Sequence, residues 1–174
     1  PTITTVNTDV VFDTDKTVKS STPADLAAVS AKDAVYDNAA VAATVSADLA
    51  KVTSGSAISV ASASAISVSY NKLTASGKEL VSADDKVKLG ELEGAMTVLT
   101  NAVNAATNKS YSIASVTDVK GLTAAVTTAI NNKDVAVATT SVDPLAEGDV
   151  EITLTITTTK GYKVTQTTKV KVVK

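Results

Sequence analysis

The stretch from Asp149 to Lys174, DVEITLTITTTKGYKVTQTTKVKVVK, constrains the fold more than any other. In its first arm Val150, Ile152, Leu154 and Ile156 alternate with Glu151, Thr153, Thr155 and Thr157, the period-2 pattern of a half-buried strand. In its second arm Tyr162, Val164, Val170 and Val172 share one parity, while Lys163, Thr165, Thr167, Lys169 and Lys171 share the other. Between the arms Thr158-Thr159-Lys160-Gly161 supplies a turn in which Gly161 is free to take a positive φ. The pattern predicts a long antiparallel hairpin with one apolar face and one Thr/Lys face. Each arm of roughly ten residues spans about 33 Å. An isolated hairpin is marginal in water, so the rest of the chain must cover its apolar face.

Two Ala-rich segments are the natural cover. From Ser82 to Asn108 the residues Leu89, Leu92, Met96, Leu99 and Val103 recur at helical spacing, so one helix capped by Ser82 is one reading. The other, slightly preferred because Gly90 is costly inside a helix, is a strand over Lys86 to Leu89 and a helix from about Glu91 to Ala106. Thr117 then caps a helix from Asp118 to Ile130 with Val119, Leu122, Val126 and Ile130 on one face. Strands are predicted around Tyr111, Ile113 and Val116 and over Asp134 to Thr140, with a turn at Asp143-Pro144.

Upstream, Thr2 to Phe12 is β-branched and reads as a strand, followed by a turn at Asp13-Thr14-Asp15. Thr22, Pro23 and Asp25 form a helix start, with the helix running to about Tyr36. A second helix is predicted from Ala39 to Val52, carrying Val41, Val45, Leu49 and Val52, and Thr53-Ser54-Gly55 ends it. The echo SAISVAS and SAISVSY, at Ser56 to Ser62 and Ser64 to Tyr70, places Ile58, Val60, Ile66, Val68 and Tyr70 on one parity and predicts a strand or strand pair. Leu73 to Ala75 reads as a short strand between turn signals. The expected fold is α+β: an antiparallel sheet with a long C-terminal hairpin covered by Ala-rich helices, with an Ig-like flavour. Two parts are expected, residues 1–62 with a strand and helices, and 63–174 as the unit ending in the hairpin.

Composition argues against most chemistry. The 174 residues contain no Cys, His or Trp, one Phe and four Tyr, and every basic residue is lysine. No zinc, haem or iron–sulfur site of the usual kinds, thiol nucleophile or Ser-His-Asp triad is therefore available. Without arginine there is no bidentate phosphate fork, and a net charge of −2 with few aromatics gives no platform for nucleic acid. Spacing alone does not exclude paired carboxylates for glycoside hydrolysis, but the aromatic platforms that usually accompany them are scarce, with four tyrosines in the chain. The expectation is a chain that is not an enzyme and carries no cofactor. No run of 18 apolar residues exists to span a membrane, and Pro1 to Lys19 lacks the basic start and apolar block of a signal peptide. A mature chain without its leader, or an excised domain, has this appearance.

From Ile66 onward the order of elements resembles the self-assembly region of lactobacillus S-layer proteins. VSYNKLTASGKEL corresponds to a Val/Tyr strand and turn, and KVKLGELEGAMTVLTNAVNAA to a short strand and Ala-rich helix. LTAAVTTAINNKDVAV corresponds to a second helix and strand, and VEITLTITTTKGYKVTQTTKVKVV to the closing hairpin. The resemblance covers about residues 66–173. It departs from the family in being mildly acidic and in lacking Tyr/Lys-rich wall-anchoring repeats. The terminal hairpin alone also looks like many bacterial Ig-like repeats. The resemblance implies a secreted structural protein at the cell surface that forms a homo-oligomer or lattice, with any cell-wall polymer met through regions outside this chain. Neither nucleic acid nor a membrane span is expected. A carbohydrate- or receptor-binding adhesin module is the alternative, as is a pilus or filament subunit in which Thr2 to Phe12 completes a neighbour's sheet.

Charge suggests where such contacts fall. The segment 158–174 carries Lys160, Lys163, Lys169, Lys171 and Lys174 with no acid, whereas the first 50 residues are rich in aspartate. The plain interpretation is a solvated lysine face that discourages uncontrolled strand pairing. The functional one is a head-to-tail contact in which Asp9, Asp13 and Asp15 of one copy meet Lys160, Lys163, Lys169 and Lys171 of another. The same three aspartates are the candidates for a Ca²⁺ site, although Val18 stands where an EF-hand loop needs glycine and a solvated turn explains them as well. Asp84-Asp85 and the trio Asp143, Glu147 and Asp149 are fainter versions of that idea. Asn108-Lys109-Ser110 matches the N-glycosylation triplet.

Overall fold

The structure, a computed structural model, describes residues 38–174. The expected strand at Thr2 to Phe12, the helix after Thr22 and the residues Asp9, Asp13 and Asp15 lie outside the described residues. The alternation read at the end of the chain forms the predicted hairpin, with β4 spanning Gly148–Thr157 and β5 Lys163–Val173. Their register is unbroken from Gly148 opposite Val172 to Thr157 opposite Lys163. Val150, Ile152, Leu154, Ile156, Val164, Val170 and Val172 are buried, and Asp149, Glu151, Lys163, Lys169 and Lys171 are exposed. At the turn the Thr158 N–H donates to the Tyr162 carbonyl at 2.8 Å, and Gly161 takes a φ of +85°. A side chain there would be strained.

The sheet built on this hairpin is mixed. On one side β3 (Val135–Thr139) pairs antiparallel with β4. On the other, two three-residue strands, β1 (Ala57–Ser59) and β2 (Ser110–Ser112), pair parallel with opposite ends of β5. The expected sheet was antiparallel throughout. Parallel partners arise because β1 and β2 each reach β5 only after long helical excursions, the connection that parallel pairing requires. The described residues form one sheet with helices, so the two packed sheets of an Ig-like sandwich are not what they build. The α+β class holds.

Helix α1 occupies residues 38–50, where the second Ala-rich helix was predicted. Its last carbonyls are satisfied by a lysine: Lys88 Nζ donates to the Leu49 and Val52 carbonyls at 2.9 and 2.8 Å, completing bonds that a helix end leaves open. The SAISVAS–SAISVSY echo gives only the three residues of β1 as strand, after which α2 runs from Val60 to Asn71. Ser59 caps it by accepting the Ser62 N–H at 3.2 Å. Ala63, Ile66 and Ser67 face inward at helical spacing and Val68 is turned out. In a segment so rich in alanine the same apolar residues fit both periods, and the helical one wins. Leu73 to Ala75 is likewise no strand: Thr74 caps the short α3 (Ala75–Lys78).

Residues Ala83–Thr107 form a single helix, α4, so the preferred strand over Lys86 to Leu89 is corrected. Gly90 and Gly94 both lie on its exposed side with open space around them. Leu89, Leu92, Ala95, Leu99, Ala102 and Ala106 bury a continuous stripe that outweighs about 1 kcal/mol per glycine. After β2, the turn of helix α5 (Ile113–Val116) replaces the rest of the predicted strand there. Asp118, not Thr117, caps α6 (Val119–Ile130), accepting the Gly121 N–H at 2.6 Å. Leu122, Val126 and Ile130 form its buried face. Ala95 and Val98 of α4 border Ile156 of β4, Ala102 borders Ile130, and α6 packs beside β3. Both helices therefore border the apolar side of the sheet, α4 at Ile156 and α6 beside β3.

By its internal contacts the chain divides into two units, residues 1–48 with 68–83, and 49–67 with 84–174. Of the expected N-terminal part, residues 1–62, only 38–62 are described, and 49–62 fall in the second unit. In the first unit the Asn38 side chain donates to Thr74 Oγ1 at 2.7 Å and lies against Gly77. The second unit holds the whole sheet, α4 and α6. Among the described residues no helix is long and apolar enough to cross a membrane.

Candidate self-association surface

With α4 and α6 on one side of the sheet, no element among the described residues covers the other. The β4–β5 register places on that side, in order along the hairpin, the opposed pairs Asp149 and Lys171, Glu151 and Lys169, Thr153 and Thr167, Thr155 and Thr165, and Thr157 and Lys163. Ala136 and Ala138 of β3 continue the threonine rows on one flank, and Ser59 of β1 does so on the other. The Thr153 and Thr167 hydroxyls are 3.4 Å apart. Apart from Val173 at the end of β5, no ring or branched aliphatic side chain stands in these rows among the described residues. The result is a small-residue face with a charged end.

Charge on this face is organised by strand. Asp149 and Glu151 stand on β4, directly across from Lys171 and Lys169 on β5, and all four are exposed. Opposed residues on one face of an antiparallel pair have Cβ atoms about 5 Å apart, so an acidic row runs beside a basic one. Lys169 and Lys171 thus belong to a patch of mixed sign rather than to a uniformly basic face. Lys163 lies at the other end between Thr157 and Ala57. Lys160, at the turn, borders a shallow cleft of about 440 Å³ with Asp84, Lys88 and Tyr162. Asp9, Asp13 and Asp15, named as the lysines' partners in another copy, lie outside the described residues.

The other carboxylates singled out from sequence have local structural work. Asp143 accepts the Val119 N–H at 2.8 Å, adding to the cap on α6, and Glu147 accepts the Lys174 N–H at 3.3 Å. Asp84 and Asp85 sit in the first turn of α4, where the helix dipole favours negative charge. Among the described residues no group of three or more acidic, histidine or cysteine side chains is placed to hold a metal. Asn108 and Lys109 are exposed between α4 and β2. Comparison with models of known protein families, with curated proteins and with solved structures found no match to this chain.

Sequence reasoning missed the acidic row. The signal was present: once the turn is centred on Lys160, each residue of one arm finds its partner by counting back from the turn, and Lys169 and Lys171 fall opposite Glu151 and Asp149. Counting charge within one arm alone hides this.

One buried polar group lies behind this face. Tyr111 of β2 is buried, and its hydroxyl donates to the Ala106 carbonyl at 2.8 Å, closing the end of α4. Burial pushes its phenol above the ordinary value. The unfolded chain therefore ionises first as pH passes about 10, and native stability is lost from there upward through the folded value. Tyr111→Phe is expected to cost about 1 kcal/mol at neutral pH and to flatten this alkaline loss. Urea unfolding of both proteins at pH 7 and above pH 10 measures it.

Proposed function

We propose that this chain is a structural subunit of an exported bacterial surface array, S-layer-like, that acts by associating with copies of itself. The observation that carries the reading is the exposed sheet face, rich in small side chains, with acidic and basic rows side by side. A surface of this kind suits another surface better than it suits a small molecule, which needs a concave site. The resemblance to S-layer self-assembly regions points the same way through its second helix, strand and closing hairpin, whereas the two strands it implies in VSYNKLTASGKEL and KVKLG are helical here.

An extended array needs more than one contact. A closed two-fold contact makes only dimers, and a second, heterologous one is required to propagate. Lys160 and Lys163, away from the acidic row, remain the side chains for the head-to-tail contact with Asp9, Asp13 and Asp15.

Sedimentation velocity with negative-stain microscopy, over a range of protein concentration at about 0.05 M and about 0.5 M salt, is the test. Mass is expected to rise with concentration, to form ordered sheets or fibres at high concentration, and to fall with added salt. A chain that stays monomeric throughout fits an adhesin module instead and overturns the proposal.

A further inference from the structure

We infer that the open face of the sheet is a two-fold interface on which a second copy of this chain packs face to face, its Asp149 and Glu151 meeting the first copy's Lys171 and Lys169. The inference rests on the self-association reading and gives it a surface and a symmetry.

The placement of charge selects the operation. Acids occupy β4 and bases occupy β5 at matching levels. A two-fold axis lying in the interface, inclined by about 15° to the strands and passing between β4 and β5 at the level of the charged pairs, carries β4 of each copy onto β5 of the other with the strands crossing at about 30°. Each acidic row then lies on a basic row, and Thr153 lies across from the partner's Thr167. An in-plane axis perpendicular to the strands and centred on the same four residues instead sets acid on acid and base on base. Like charges disfavour that arrangement.

Shape allows the same arrangement. Facing sheets pack about 10 Å apart with strands crossing at about 30°, so opposed rows separate with distance from the crossing point. With the crossing at the level of the two charged pairs, their sideways offset is only about 2 Å, well within the reach of a lysine. Thr153, Thr155, Thr165 and Thr167 continue the contact on one side, and all are small enough for close approach. The whole face, about 33 Å long and three or four strands wide, can bury at most roughly 500 Å² per copy, about 1,000 Å² in all, so the contact lies at or below the lower bound for a specific interface. The dimer is therefore weak in dilute solution, with a dissociation constant on the order of micromolar to millimolar. Crowded at high local concentration, it forms.

Two variants test the symmetry. Asp149→Lys with Glu151→Lys makes the patch wholly basic, and Lys169→Glu with Lys171→Glu makes it wholly acidic. Each alone is expected to lose dimerisation at concentrations where the parent chain dimerises, with at least a tenfold weaker association. An equimolar mixture is expected to restore it as a heterodimer that about 0.5 M salt disrupts. Sedimentation velocity reads the mass, and circular dichroism confirms that each variant is folded. If a double variant unfolds, Glu151→Lys paired with Lys169→Glu carries the same test. Variants that associate like the parent overturn this surface while leaving self-association standing. Variants that stay apart even when mixed overturn the two-fold geometry. A parent chain that is monomeric at every concentration overturns the self-association reading itself.

Discussion

Truncating Leu154 to alanine is expected to destabilise the protein by about 4 kcal/mol, the upper part of the range for a leucine removed from a packed interior. Leu154 is fully buried at the middle of β4, a strand with neighbours on both sides. It stands between Val137 of β3 and Gln166 of β5, so no edge can move in to fill the space it leaves. Thr153, the next residue, points to the open face, and Thr153→Ala is expected to cost about 1 kcal/mol or less. The two urea unfolding midpoints, compared at equal slope, measure the difference between the two faces. A loss below 1 kcal/mol for Leu154→Ala would show that this side of the sheet is not the core.

Gly121→Ala is expected to cost about 3 kcal/mol, an overpacking effect at the α5–α6 junction. A Cβ at residue 121 would lie 1.9 Å from the Val116 carbonyl oxygen and 2.9 Å from its carbon. Both atoms are backbone, and the Asp118 N–H already donates to that oxygen. The alanine is accommodated only by opening the turn and weakening the Asp118 cap. Gly90→Ala and Gly94→Ala carry the opposite sign. Both glycines lie on the exposed side of α4 with nothing near the new methyl group, and each change is expected to add about 1 kcal/mol of stability. Thermal or urea unfolding of the three variants gives the comparison.

Where one period dominated, the elements were legible in the sequence. The hairpin alternates over ten residues, and α6 repeats its apolar residues every three or four, so no competing pattern existed. Where alanine and serine filled the gaps, as in α2, Ile66 and Val68 suited strand and helix alike. Only tertiary burial of Ile66 with Ser67 decides between them. Gly90 misled in the other direction, because a local penalty of about 1 kcal/mol was set against a 25-residue helix whose buried stripe is longer than any local window shows. The parallel strands β1 and β2 were beyond reach: three residues carry no period, and their partner lies far along the chain. For the candidate surface, the Thr/Lys side was legible from parity. Its paired acids needed the strands to be aligned with one another and not merely located.

The placement of β5 also orders events during synthesis. Ile58 and Thr165, 107 residues apart, come together where β1 meets β5, and β2 likewise pairs with β5, its one strand partner among the described residues. Neither short strand can pair until residues 163–173 have left the ribosome, and β4 until then lacks its longest neighbour. Helices α2, α4 and α6 emerge earlier with apolar stripes and no sheet to cover. This part of the nascent chain is thus held short of its final fold until residues 163–173 have been made, because β1, β2 and β4 all await the same strand.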